Sequence, residues 1–176
     1  MIRQLSLMAG LFLTFCAASQ PSRVAKAEVG WSAHPIKVEF QQSEPIIIAY
    51  ELINRSKSEL WVPKSIDPFV SVRLRVYDPD GRPMNWNGAR FTFKYDQSNL
   101  VNLLPGQTKS GTFVVPRACP DEKVIEKGGF CFQKRGAYRG AATFQMGLNA
   151  FYHRDEIHGQ IAEGPYSSDG FTFALR

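Results

Sequence analysis

The 176-residue sequence lacks the motifs by which many enzymes are identified. It has no GxSxG nucleophile elbow, no GxGxxG dinucleotide fingerprint and no GxxxxGKS or GxxxxGKT phosphate loop. Histidine is scarce, and His153 and His158 are five positions apart, a spacing that suits neither one helix face nor one strand face. These absences predict a protein that is not an enzyme and that uses no metal and no cofactor. A loop that brings the two histidines together is the alternative.

Beyond residue 18 the sequence also lacks a long apolar run. The run from Leu5 to Ala18 is about 14 residues, shorter than a bilayer-spanning helix requires. Arg3 precedes it, and Ala25-Lys26-Ala27 follows as a small-x-small cleavage site. We therefore predict a signal peptide at residues 1–27 and an exported chain, periplasmic or secreted, with no stable membrane insertion after cleavage.

Two other fates of the first segment stay open, an uncleaved membrane anchor and lipid attachment at Cys16. Leu13 and Thr14 resemble the start of a bacterial lipobox, but Phe15 stands where lipoproteins need a small residue. A lipid would tether the domain to a membrane. We expect the mature protein to begin at Glu28, and mass spectrometry that finds this N-terminus excludes lipidation.

Charge of one sign is not concentrated anywhere along the chain. The full sequence has 21 basic and 16 acidic residues, but the predicted signal peptide takes away three bases and no acids, which leaves a net charge of +2. No block of like charges is present. The sequence therefore predicts no nucleic-acid partner.

Cysteine is rare, and only Cys119 and Cys131 remain after signal cleavage. In an exported domain two cysteines predict one disulfide, with two free thiols as the alternative. In the chain-entropy view, closing so short a loop stabilises the fold by roughly 3 kcal/mol. The absence of a CxxC pair argues against a thioredoxin-type redox role.

Alternating segments and turns dominate residues 28–176. Runs of five to nine residues with alternating apolar and polar side chains are separated by turn sequences such as Asp78-Pro79-Asp80-Gly81 and Pro105-Gly106. No convincing amphipathic helix of ten residues is present, although residues 121–127 could form one or two helical turns. The pattern predicts a single all-β domain, an immunoglobulin-like antiparallel β-sandwich.

Two strands show the pattern in detail. In the run from 70 to 77 the even-numbered residues are apolar and are predicted to point to one side, whereas Ser71, Arg73, Arg75 and Tyr77 point to the other. Gly136-x-Tyr138 begins the penultimate strand. Its tyrosine is predicted either to form a tyrosine corner, with the hydroxyl bonded to nearby backbone, or to be an ordinary core aromatic.

The order of these signatures resembles bacterial secreted immunoglobulin-like domains, most of all the BsuPI-type proteinase-inhibitor domain. The matching residues span about 46–145 and are Leu52-x-Asn54-x-Ser56, Val76-x-Asp78-x-x-Gly81, Phe91, Leu104-x-Gly106-Gln107 and Gly136-x-Tyr138. The segment with the two cysteines and the tail after Gly147 depart from the pattern. The resemblance implies the fold, and it implies protease inhibition by analogy alone.

The segment 116–136 is the candidate contact surface. It is flanked by proline, closed by the two cysteines, and mixes charges with the apolar Val124, Ile125, Phe130 and Phe132. Loops on a rigid scaffold commonly carry recognition, and a crosslink lowers the entropy that a loop loses on binding. We predict that these four residues contact a protein partner. The alternative is a structural staple over one end of the sandwich.

The sequence thus predicts an exported binding module that contacts an unidentified protein partner, such as a protease or an envelope component. One alternative is a structural or assembly component of the bacterial cell envelope that pairs through its edge strands. The other is a carbohydrate-binding domain, which requires Trp61 or Trp86 to be exposed for stacking. If both rings belong to the core, this second alternative loses its binding residues.

Overall fold

The computed structural model describes residues 29–87, 93–119, 128–146, 150–152 and 157–176. The predicted signal peptide lies outside these ranges. The described residues are almost entirely strand and loop, which confirms the all-β class. Within them, no helix has the length and apolar character needed to cross a membrane.

Thirteen strands are present in the described residues, with one short 3-10 helix at Gln97–Asn99. In chain order the strands are β1 (Val29–Pro35), β2 (Glu39–Phe40), β3 (Ile47–Asn54), β4 (Leu60–Pro63), β5 (Val72–Tyr77), β6 (Phe93–Tyr95), β7 (Leu100–Leu103), β8 (Thr108–Val114), β9 (Gly136–Phe144), β10 (Ala150–Tyr152), β11 (Gln160–Ile161), β12 (Tyr166–Ser167) and β13 (Phe171–Leu175).

Two larger sheets contain most of these strands. Sheet I is antiparallel and has the order β1-β3-β8. In sheet II, β9 pairs with β5 along one edge and with β12 and β13 along the other, and β2 runs parallel to β13. Two small sheets, β11-β4-β7 and β10-β6, complete the described fold.

Strand β5 confirms the predicted alternation from residue 72 onward. Val72, Leu74 and Val76 are buried, whereas Arg73, Arg75 and Tyr77 are exposed. Successive side chains of a strand lie on opposite faces, so an apolar face here packs on the core and a polar face meets solvent. The three exposed residues therefore lie together on the outer face of sheet II.

The alternation does not extend to Ser71, which is fully buried and precedes the strand. It lies in a turn before the strand, where its backbone N–H donates to the Asp67 carbonyl at 3.1 Å and its hydroxyl accepts from the Asp67 N–H at 3.3 Å. The Asp67 carboxylate also accepts from the N–H groups of Phe69 and Val70. Side-chain hydrogen bonds of this kind compete with strand pairing, so β5 begins only at Val72.

Sheets I and II are joined by Trp31 of β1. Its indole N–H donates to the Ala142 carbonyl of β9 at 3.0 Å. Its ring centroid lies 5.5 Å from that of Phe144 and 5.6 Å from that of Tyr50. Large aromatic rings with a satisfied polar group contribute both buried area and a fixed orientation. The indole therefore sets how the two sheets face each other at this end.

Tyr138 occupies the other end of β9 and has features of both alternatives predicted for it. Its side chain is 1% exposed, and its ring is stacked on Phe173 and edge-on to Phe132. Its hydroxyl donates to the Lys134 carbonyl at 2.7 Å. The residue is thus a core aromatic whose hydroxyl also fixes the chain that enters β9.

We expect Tyr138→Phe to lower the free energy of unfolding by about 1–2 kcal/mol, because a partly buried carbonyl loses its hydrogen-bond donor. Urea denaturation measures this. Tyr77→Phe is the matched control, since Tyr77 is 39% exposed and lies on the outer face. Equal stability of the two variants would contradict the role of the hydroxyl.

Candidate functional site

The predicted disulfide is present, since the sulfur atoms of Cys119 and Cys131 lie at bonding distance. Two of the four predicted contact residues, Val124 and Ile125, fall in 120–127, outside the described residues. What the structure describes is therefore the base of the crosslinked segment, residues 116–119 and 128–134, and the surface around it.

Phe130 and Phe132 are core residues, 2% and 5% exposed. Phe130 is edge-on to Trp86 at a centroid distance of 5.4 Å, and Phe132 is edge-on to Tyr138 at 5.2 Å. Their spacing of two along an extended segment, which is typical of a strand face, is the sequence signal for this burial. In the described part of the chain these rings anchor the crosslinked segment rather than extend from it.

The backbone of the segment is held in the same way. The Phe130 N–H donates to the Pro116 carbonyl at 2.9 Å, and the Ala118 N–H donates to the Phe130 carbonyl at 3.1 Å. The chain before Cys119 therefore pairs with the chain before Cys131. The disulfide closes a loop whose base is already fixed by hydrogen bonds.

Neither of the two tryptophans considered for carbohydrate stacking is fully exposed. Trp61 and Trp86 are half-buried and pack against the core. Trp86 is edge-on to Phe69 and Phe130. The Trp61 indole packs so closely on Gly159 that a Cβ there would lie 2.6 Å from its Nε1 atom. Their placement fits the core interpretation.

A cleft of about 280 Å³ lies beside the disulfide, between residues 82–87 and 131–134. Met84 and Tyr138, which both pack in or against the core, form its apolar lining, and Cys131 lies in its wall. Its polar lining comes from Asn85 and Gln133, both exposed, among others. The cleft combines an apolar surface with exposed hydrogen-bonding groups, a composition that suits ligand binding.

Backbone pairing holds one end of the cleft lining, at Asn87. The Asn87 N–H donates to the Gly129 carbonyl at 2.7 Å, and the Gly129 N–H donates back to the Asn87 carbonyl at 2.8 Å. The Asn87 side-chain amide donates to the Ala118 carbonyl at 3.1 Å. This end is thus fixed by contacts between segments that are far apart in the sequence.

Ion pairs hold the other end of the lining, at Asp78 and Lys134. The Lys134 ammonium bonds to the Asp78 carboxylate at 2.7 Å and also to the Asp80 carboxylate. The second Asp78 oxygen accepts from the N–H groups of Asp80 at 3.0 Å and Arg82 at 2.8 Å. Gly81 has φ +79°, as the predicted turn requires. The turn is therefore built around one carboxylate.

These contacts have an electrostatic consequence for Asp78 and Lys134. The hydrogen bond from Lys134 lowers the pKa of the Asp78 carboxyl below its ordinary value, and the hydrogen bond from the Arg82 N–H is the second largest cause. The same bond, with that to Asp80, raises the pKa of the Lys134 ammonium. Both groups thus favour their charged forms at neutral pH.

No cluster of three or more potential metal ligands occurs among the described residues. His153 lies outside them, so the alternative in which a loop brings His153 and His158 together stays open. His158 is described, and its backbone N–H donates to the Gln97 side chain at 3.2 Å.

No family model matches this chain, and no curated protein matches it. The resemblance to the BsuPI-type domain therefore stays a prediction. What can be said about function rests on the cleft, the disulfide and the surfaces of the sheets.

We expect Asp78→Asn to destabilise the protein at neutral pH but not at strongly acidic pH. A lowered pKa in the folded state adds stability above the ordinary value of 3.8, and this stability disappears as the pH falls through the folded-state pKa. Melting temperatures of both proteins across the acidic range measure the effect. Because Asn keeps a side-chain oxygen that can accept from the N–H groups of the turn, the difference in melting temperature reports the effect of the Asp78 charge.

Asp169→Asn is the control for this titration, because Asp169 is exposed and its carboxylate has no bonded partner among the described residues. The control should follow the wild type at every pH. A gap between Asp78→Asn and wild type that keeps its size at the lowest pH would contradict the assignment.

Proposed function

We propose that this chain is an exported, non-enzymatic module of immunoglobulin-like fold that binds a protein partner at its disulfide-tied end. The observation that carries the proposal is the cleft between residues 82–87 and 131–134, fixed at one end by Asn87 and Gly129 and at the other by Lys134. A surface that is already rigid loses little entropy on binding.

The strand order supports the immunoglobulin-like part of the proposal. An antiparallel sheet β1-β3-β8 faces a sheet centred on β5, β9 and β13, and the chain passes from the first to the second between β1 and β2. The Tyr138 hydroxyl bonds back to Lys134 at the start of the penultimate long strand, in the manner of a tyrosine corner. Protease inhibition is one form of protein binding that the BsuPI resemblance suggests by analogy.

Export is supported by two independent features. The first is the predicted signal peptide at residues 1–27. The second is the Cys119–Cys131 disulfide, because disulfides persist in the periplasm and outside the cell and are rare in the cytosol.

Assembly into an envelope structure is the second candidate, and the edge of sheet I favours it. No described strand pairs with β8 on the side away from β3. The antiparallel ladder leaves the backbone groups of Ser110, Thr112 and Val114 directed outward, where an added strand could bond. Lys109, half-buried on the inward face of this edge, works against uncontrolled pairing.

A photo-crosslinking residue at three positions separates these proposals. We expect the full chain with the crosslinker at Gln133, on the cleft, to give one discrete adduct with an envelope protein in the native cell fraction. A crosslinker at Thr112, on the β8 edge, tests assembly. Lys57, an exposed turn residue distant from both surfaces in sequence, gives the background.

An adduct from Thr112 with copies of a structural protein, and none from Gln133, would favour assembly over cleft binding. Adducts no stronger at Gln133 than at Lys57, in protein that keeps its melting temperature, would overturn the cleft as the contact site. Mass spectrometry of the adduct identifies the partner.

A further inference from the structure

We propose that the outer face of sheet II binds an extended, carboxylate-rich segment of a protein partner. The binding groups are the guanidinium groups of Arg73, Arg75 and Arg139, which we call the arginine face. This inference concerns a surface other than the cleft and does not require that the cleft bind anything.

Sheet register places the three arginines together. Arg73 and Arg75 are successive outward residues of β5, and Arg139 on β9 is the direct cross-strand partner of Tyr77. Arg75 pairs with Ala141, so Arg139 lies diagonally across from it. Outward residues two apart on a strand are separated by about 6.8 Å, and diagonal cross-strand neighbours by about 7–8 Å. The three charges thus form an almost straight row that runs obliquely across β5 and β9.

None of the three guanidinium groups has an ion pair or hydrogen bond within the described part of the chain, and all three residues are exposed. Among the described strands of sheet II, Glu39 of β2 is the acidic residue on this face. Its carboxylate is paired with Arg176. The positive charge is therefore not neutralised by the sheet itself, and it is available to an anionic partner.

Apart from Tyr77, which lies directly across from Arg139, the positions around the arginines are small. Ala137, Ala141, Thr143, Thr172 and Ala174 supply the rest of the outward face on β9 and β13. Small side chains leave a flat floor on which a chain can lie with its own side chains against the arginines. Apart from Tyr77, no apolar side chain larger than these stands on the described part of this face to enter a bilayer, so the surface favours a polymer over a membrane.

An extended acidic peptide matches the spacing. Acids at alternate positions of an extended chain repeat every 6.6–6.8 Å or so, about the separation of Arg73 and Arg75. Arginine binds carboxylate through two parallel hydrogen bonds, which gives it a geometric preference that lysine lacks. Spacing and chemistry together select a segment in which acidic and small residues alternate.

Fluorescence anisotropy with a labelled peptide of alternating Glu and Ser tests the proposal on the full mature protein. We expect Arg73→Ser/Arg75→Ser/Arg139→Ser to bind this peptide about tenfold more weakly at low salt, with the difference shrinking at high salt. The control is Arg55→Ser/Lys57→Ser/Lys64→Ser, which removes the same charge from three exposed residues elsewhere. It should bind nearly as well as wild type.

A second variant, Arg73→Lys/Arg75→Lys/Arg139→Lys, keeps the charge and should bind with intermediate strength, because the two-pronged hydrogen bonds are lost. Urea denaturation verifies that each variant is folded. Equal weakening in the serine triple and its control would overturn the assigned surface. Equal binding of a peptide with the same glutamates in one block would overturn the spacing, and preferred binding to vesicles of anionic lipid would overturn the peptide in favour of a membrane.

Discussion

Strand β9 is the element on which the rest of the structure depends, because both of its edges are paired. It bonds to β5 on one side and to β12 and β13 on the other. Gly140 allows this dense packing, since a Cβ there would lie 2.6 Å from the Phe171 ring. The inward residues Tyr138 and Phe144 reach the two ends of the core, where one bonds back to Lys134 and the other contacts sheet I. The outward residues of the same strand form part of the arginine face.

The half-buried guanidinium of Arg117 attaches the disulfide segment to this frame. Arg117 donates to the carbonyls of Gln42 and Glu44 and lies over the Phe132 ring, 5.4 Å from its centroid. Burial lowers the pKa of Arg117, and the charge is tolerated because both carbonyls accept from it. The Gln42 amide in turn donates to the Phe132 carbonyl at 2.6 Å. The wall of the cleft near Cys131 is therefore fixed by the turn that follows β2, about ninety residues earlier in the chain.

Sequence patterns predicted the strands and turns that depend on residues close together in the chain. Alternation and turn residues located β5 and β9 and the turn that ends at Gly81, because strand faces and tight turns depend on near neighbours. The burial of Phe130 and Phe132 was not predicted, since it depends on pairing between the two halves of the crosslinked segment. The arginine face was predicted only in part. Alternation placed Arg73 and Arg75 on one face, but only the pairing of β5 with β9 shows that Arg139 lies near them. Strand β1 was missed because Gly30 and neighbouring small residues weaken its pattern.

The turn around Asp78 lies between the cleft and the arginine face. On one side Lys134 bonds to the carboxylates of Asp78 and Asp80 at the end of the cleft. On the other side the Arg139 guanidinium lies against Gly81, 3.2 Å from where a Cβ would be. Lys134 engages one oxygen of each carboxylate in the turn. This lysine therefore offsets part of the negative charge that lies beside the arginine face.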